Sequence, residues 1–280
     1  MDHRSEQRAR LWLRSERAMG LVGVPKPKQR QAIAQAPADA EVKIQPVTQP
    51  VHSKMNDAKD EAGLPALVLP NIDKPFEAKV LSTEEKRRRL SELDENEVRG
   101  CMRCRLHHTR TQTVFGEGDV DARIFFIGEG PGESEDLSGR PFVGRAGQKL
   151  DEMIQAMGLQ REQVYIANIV KCRPPGNRVP MSDEAAICTP YLERQLEIVR
   201  PEVIVTLGLS ATQYMLQVKQ FMGRMRGRWH SWRGIKLMPT YHPAYLLRNY
   251  TQETRAAVWS DLKQVMVELG LPEPKRKKED

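Results

Sequence analysis

The stretch Ile124-Phe125-Phe126-Ile127-Gly128-Glu129-Gly130-Pro131-Gly132-Glu133 constrains the fold of this chain more than any other. A short apolar run that breaks into glycines predicts a buried strand whose carboxyl end presents bare backbone. In an open α/β sheet that edge is where ligands sit. Four runs, 123–127, 164–170, 203–207 and 235–238, read as buried strands of this kind. Between them Leu150, Met153, Ile154 and Met157 share one helical face that Gly158 is placed to end. A second helix is expected from Ser182, with Asp183 and Glu184 at the positive end of its dipole and Ile187, Tyr191, Ile198 and Val199 facing inward before Pro201. Strand, helix and strand at this spacing imply right-handed βαβ units. The expected fold is α/β, a three-layer α/β/α sandwich around a central, mostly parallel four-stranded sheet.

Upstream of the first strand the pattern weakens. Residues 4–19 read as a short helix with Leu11, Trp12 and Leu13 adjacent, either a docking peptide or a weakly packed helix. Residues 24–80 are rich in Pro, Gln, Ala and Lys without a sustained period, so they are expected to form a disordered linker. From Ser82 a helix amino terminus appears, and Leu90, Leu93 and Val98 form one apolar face before Gly100. The expected organisation is a basic tail over 1–81, a folded domain over 82–270 and a charged tail over 271–280.

Charge follows the same division. The chain carries a net +7, and its first 90 residues account for +5, from 17 Lys and Arg against 12 Asp and Glu. Local basic clusters recur at Arg224, Arg226, Arg228, Arg233 and Lys236 and at 275–278. This balance suits a polyanion such as nucleic acid as well as it suits a solvated basic surface. No apolar run reaches the roughly 20 residues that span a bilayer, and Asp2, Glu6 and Glu16 argue against a transit peptide. A soluble, cytoplasmic protein is expected.

All four cysteines, Cys101, Cys104, Cys172 and Cys188, fall in the expected domain. A reducing compartment disfavours structural disulfides, and a Cys-x-x-Cys pair joined by two more thiols suits zinc or an iron-sulfur cluster. Spacing alone leaves zinc, a cluster and unliganded thiols open.

Four segments together resemble the family 4 uracil-DNA glycosylases, the iron-sulfur branch of that superfamily. They are Cys101-x-x-Cys104; Gly128-Glu-Gly-Pro-Gly-Glu with Gly139-Arg-Pro-Phe-Val-Gly144; Asn168-Ile-Val-Lys-Cys-Arg-Pro-Pro-x-Asn177 with Cys188; and His242-Pro-Ala-Tyr-Leu-Leu-Arg248. The match runs from about residue 100 to about residue 265 and leaves the first 80 to 90 residues uncovered. The resemblance implies a [4Fe-4S] cluster on the four cysteines, and hydrolysis of the bond between uracil and deoxyribose in DNA, single- or double-stranded, to leave an abasic site.

It also implies a flipped-base pocket at the strand ends. Phe142 would stack on the base, and the Asn168 amide would pair with uracil N3-H and O4 while rejecting cytosine, whose pattern is reversed. His242 would donate to uracil O2, where charge collects as the bond breaks. Gly130 stands where family 1 relatives carry an Asp, so the acid must lie elsewhere. Glu129 and Glu135, with Asn177 assisting, are the expected residues near the sugar, and Glu133 and Asp136 the substitutes. Leu246 or Leu247 would fill the vacated stack and Arg248 grip phosphate. The basic cluster at 224–233, with Trp229 and Trp232, would track the backbone. A monomer is expected, with a possible protein partner for the amino-terminal tail. The alternative is a non-catalytic or polymerase-associated protein that keeps the fold and cluster.

Overall fold

The computed structural model describes residues 72–77 and 81–272. The expected helix over 4–19, most of the expected linker over 24–80 and the basic run at 275–278 lie outside these residues. Six strands form one sheet: β1 (Glu117–Gly118), β2 (Ile124–Gly128), β3 (Tyr165–Asn168), β4 (Val203–Leu207), β5 (His230–Trp232) and β6 (Ile235–Thr240). Their order is β1-β3-β2-β4-β6-β5. The four expected strands are the inner ones and pair in parallel. The expected count of four was too low, because β1 and β5 add short antiparallel edges. Runs of two and three residues carry too little alternation to be read as strands.

The inner strands are buried on both faces, which is why they read as continuous apolar runs. Their side chains still alternate. Phe125, Ile127, Tyr165, Ala167 and Ile204 face one core. Ile124, Phe126, Ile166, Val203 and Val205 face the other. The first core is closed by α1 (Thr83–Leu93), which runs into a π turn to Val98, by α4 (Ser182–Val199) and by α5 (Leu209–Leu216). The second is closed by α3 (Arg145–Ala156) and α8 (Gln252–Glu268). Shorter helices are α2 (Glu133–Ser138), α6 (Met222–Met225) and α7 (Pro243–Arg248). Leu90, Leu93 and Val98 are buried as their spacing predicts, as are Leu150, Met153, Ile154 and Met157. The layers are helix, sheet, helix.

Upstream of the expected boundary at 82, residues 72–77 pack against the β5–β6 hairpin. Arg233 N-H donates to the Ile72 carbonyl at 2.7 Å, and Phe76 is buried with its ring edge-on to Trp232 at 5.6 Å. A lone Phe in a Pro- and Lys-rich stretch has no periodic neighbours to announce it.

The chain crosses from β2 to β3 on one side and returns to β4 on the other. That reversal opens a crevice beyond the carboxyl ends of the strands. Register places Gly128 beside Asn168 and Leu207 beside Thr240 along this edge.

Candidate functional site

A cavity occupies the crevice. Its lining includes Glu129 and Gly130 after β2, Asn168 at the end of β3, Gly208 and Ser210 after β4, and His242 after β6. Phe142, Asn177 and Arg248 complete the wall. The structure therefore brings together residues that lie more than a hundred positions apart.

Asn168 is 1% exposed, and its side-chain Oδ1 has no hydrogen-bond partner. An unpaired buried amide oxygen costs about 1–3 kcal/mol unless a ligand supplies a donor. Gly128 makes room for it: a Cβ there would stand 2.4 Å from Asn168 Oδ1 and 2.5 Å from the Phe142 ring. Only a residue without a side chain lets both groups face the cavity.

Phe142 adopts φ +50°, a left-handed conformation that is strained for a bulky residue. Several groups hold it there. Glu135 Oε1 accepts the N-H groups of Val143 and Gly144, both at 2.9 Å, and its Oε2 accepts that of Gly132 at 3.0 Å. Arg161 donates to the carbonyls of Pro141 and Phe142. Gly147 permits the approach, since a Cβ there would stand 1.8 Å from the Phe142 carbonyl oxygen.

His242 caps α7. Its Nδ1 accepts the Ala244 N-H at 3.1 Å, which leaves Nε2 to carry the proton of the neutral ring. Burial, reinforced by the Arg248 charge, lowers its pKa to about 4. The ring lies 5.7 Å from that of Phe142, at an interplanar angle of 31°. This site presents a neutral donor.

The two expected acids differ. Glu135 spends both oxygens on backbone N-H groups and braces the loop. Glu129 lies on the cavity wall, and desolvation raises its pKa while the Ser210 hydroxyl pulls it back. Of the substitutes, Asp136 is buried with both oxygens on the Thr111 N-H. Glu133 is exposed and pairs with Arg173 at 3.6 Å. Asn177 Oδ1 accepts from Arg173 Nε at 2.8 Å on the cavity rim. At Gly130 a Cβ would stand 2.8 Å from Val170 Cγ2, so a carboxylate at this position would displace the wall.

The two leucines of α7 part company as well. Leu246 is 4% exposed in the core beneath the helix and is not available to DNA. Leu247 is 37% exposed and Arg248 follows it at the cavity mouth. The spacing could not choose between adjacent leucines, because a two-turn helix has no repeat to read. The cluster over 224–233 is only partly free. Trp232 is core, Arg226 pairs with the buried Asp261, and Arg233 lies 4.0 Å from the Phe76 ring, whereas Arg224 and Arg228 are exposed.

The four cysteines line a second, smaller cavity with Arg110, Lys171 and Tyr191. All four thiols are free. Arg110 donates to Cys172 Sγ at 3.0 Å, the Lys171 N-H to Cys188 Sγ at 3.2 Å and Tyr191 Oη to Cys101 Sγ at 3.3 Å. Burial pushes the Cys188 thiol up to about 12 and raises Cys172 and Cys104. Among the described residues no group of three or more His, Cys, Asp or Glu closes to the spacing of a single metal ion.

The family model of the uracil DNA glycosylase superfamily matches residues 115–263, which hold the strand-end cavity and two of the four cysteines. The type-4 uracil-DNA glycosylase of Thermotoga maritima is 48% identical to this chain over 180 residues, covering 64% of this chain and 94% of the relative. This chain belongs to the type-4 branch of that superfamily. The type-4 uracil-DNA glycosylase of Saccharolobus solfataricus is 45% identical, over 62% of this chain and 84% of the relative. That of Archaeoglobus fulgidus is 42% identical, over 66% and 97%. Sequence reasoning missed Ser210 and Arg178 on the cavity wall of this type-4 chain. Ser210 had a signal, since it follows the end of β4 at the start of a helix, on the same sheet edge as Glu129.

Proposed function

We propose that the strand-end cavity is where this chain extrudes, reads and excises uracil. The chain is a uracil-DNA glycosylase, a hydrolase of N-glycosyl bonds that acts in DNA repair. The observation that carries the site assignment is Asn168 Oδ1, buried, unpartnered and at the cavity wall. Uracil N3-H supplies the missing donor, and the Asn168 amide N-H meets uracil O4. Cytosine offers an acceptor at N3 and a donor at C4, which would leave that oxygen unpaired and face donor against donor.

Each neighbouring residue has a task on this reading. Phe142, held in its strained conformation, stacks on the base. His242 donates from Nε2 to uracil O2, where negative charge grows as the bond breaks. Glu129 is the carboxylate left free to face the sugar or orient water, with Asn177 at the rim; Glu135 serves by holding Phe142 in place. The main chain at Gly130 lets the base approach. Leu247 fills the vacated stack of duplex DNA, and Arg248 grips phosphate on single- or double-stranded DNA.

The thiol cavity fits a [4Fe-4S] cluster on Cys101, Cys104, Cys172 and Cys188. Four thiols lining one cavity supply an all-thiolate donor set, and the resemblance to the iron-sulfur branch selects the cluster over zinc. Such a group would be held by the four thiolates and would tie residues 101–104 to 172–188. We further propose a cytoplasmic monomer with the glycosylase domain over 82–270, extended by 72–77, and tails over 1–71 and 271–280, the first open to a protein partner.

The full-length protein, incubated with a uracil-containing oligonucleotide and then alkali, should cut the strand at uracil. Glu129→Gln should lower single-turnover cleavage by about 100-fold, the usual size of a general acid or base contribution. Full activity in that variant would remove Glu129 from the chemistry, and an uncut wild-type reaction would remove the function.

A further inference from the structure

Lys171 is 1% exposed, among the largest fully buried side chains. No carboxylate pairs with it among the described residues. Its Nζ donates to the main-chain carbonyl of Asn168 at 3.1 Å and to Gln195 Oε1 at 2.5 Å. Gln195 is itself fully buried and anchored by donating to the Phe115 carbonyl at 3.0 Å. The Phe115 ring centroid lies 5.9 Å from Nζ. Lys171 also lines the thiol cavity, and its own N-H is the donor to Cys188 Sγ.

A buried ammonium without a counter-ion is costly, and nature pairs such charges. Asp94 acts on it without forming an ion pair, so the opposite charge close at hand is that of the thiolates of a bound cluster a few residues away. Cys172 is the next residue and Cys188 is held by the Lys171 backbone. The same side chain grips the peptide that aims the Asn168 amide into the uracil cavity. The two cavities therefore meet at one side chain.

The geometry points to Lys171 as a positioning residue that couples the two sites: its ammonium balances the net negative charge of the thiolate cluster and, so held, fixes Asn168 for uracil. This rests on the proposed cluster and uracil pocket. Without the cluster's charge, the ammonium loses its reason to stay buried, and the Asn168 carbonyl loses its anchor. Lys171 touches neither base nor sugar. Its effect is on how well the pocket is preset.

Lys171→Met keeps most of the shape and removes the charge; Lys171→Arg keeps the charge. Both are to be compared with wild type as full-length, cluster-loaded proteins. Two quantities are read: the reduction midpoint of the cluster and the inhibition constant of free uracil against glycosylase activity. A nearby cation favours the reduced, more negative cluster, so Lys171→Met should move the midpoint to more negative values. It should also raise the uracil inhibition constant by about tenfold, the size of one lost charge-assisted hydrogen bond. Lys171→Arg should restore the midpoint and at least part of the affinity.

If Lys171→Met leaves both quantities at the wild-type values, the coupling is wrong. It is equally wrong if Lys171→Arg matches Lys171→Met in both, since shape rather than charge would then matter. Should Lys171→Met fail to fold, Lys171→Gln removes the charge and keeps a polar group at that place. An unchanged midpoint and unchanged uracil inhibition in that variant also overturn the proposal. A wild-type protein lacking broad absorbance at the blue end of the visible would remove the cluster and the coupling with it. A wild type that absorbs there but cuts no uracil strand removes the pocket reading instead.

Discussion

The two cavities flank the single stretch 168–172 and treat buried polar atoms in opposite ways. On one side Asn168 Oδ1 is left without a donor. On the other, Cys101, Cys172 and Cys188 each accept a hydrogen bond already supplied by Tyr191, Arg110 and the Lys171 backbone. An unpaired buried acceptor costs the folded chain stability, and one that opens onto a cavity can recover that cost from an incoming donor. Sulfurs furnished with donors suit a resident group, whose thiolates need outer-shell support throughout. On the proposed reading, the contrast is that between a substrate site and a structural one.

The largest effect should come from breaking the open side. Asn168→Ala removes the acceptor and the amide donor together, and should lower kcat/KM on uracil DNA by about 100-fold or more. Because Oδ1 has no internal donor to strand, the same change should leave Tm within a few degrees of wild type. Single-turnover cleavage and a thermal melt on the same preparation check both halves. A variant that melted early while still cutting uracil would place Asn168 among the structural residues and erase the distinction.

A second test sits within α7, where adjacent leucines repeat the contrast between buried and open. Leu246→Ala empties core volume and should cost about 2–5 kcal/mol of stability. Leu247→Ala should leave stability near wild type and slow cleavage of uracil in duplex DNA by about tenfold, with a smaller effect on single strands, where no stack needs filling. Urea denaturation and paired rate measurements on the two substrates separate these outcomes. Equal slowing on both substrates would mean that Leu247 does not fill a duplex stack.

The sequence showed what periodicity and glycine placement can show. The four inner strands, the helix from Ser182 and the strand-end positions that line the cavity were legible, because each rests on a run of several residues or on a strand end. The edge strands β1 and β5 were not, since Glu117–Gly118 and His230–Trp232 gain their conformation from pairing with β3 and β6. The separate tasks of Glu129 and Glu135 were hidden for a related reason. Both are acids in one glycine-rich loop, and only the folded loop shows that three N-H groups converge on Glu135. Phe76 shows the same limit, being buried by contact with Trp232 rather than by any pattern around it. Long-range closure decides such cases.

The smallest predicted effect concerns pH, and it tests whether the open cavity keeps its polar groups uncharged. With its pKa lowered to about 4, His242 stays neutral well below the range where an exposed His takes up its proton, about 6.5. As pH falls through about 6.5 the unfolded chain binds a proton at this residue that the folded chain refuses. Stability from His242 is therefore undiminished above about pH 6.5 and declines as pH falls toward 4, below which both states are protonated and the loss levels off. Activity follows a different course. On the proposed reading, the Nε2 proton that meets uracil O2 is present in the neutral ring, so His242 should add no inflection near 6.5 to the pH profile of kcat/KM. Measuring that profile in wild type and in His242→Asn decides the matter. A wild-type inflection near 6.5 that vanishes in the variant would mean that the imidazolium is the working form, and that this cavity, too, holds a resident charge.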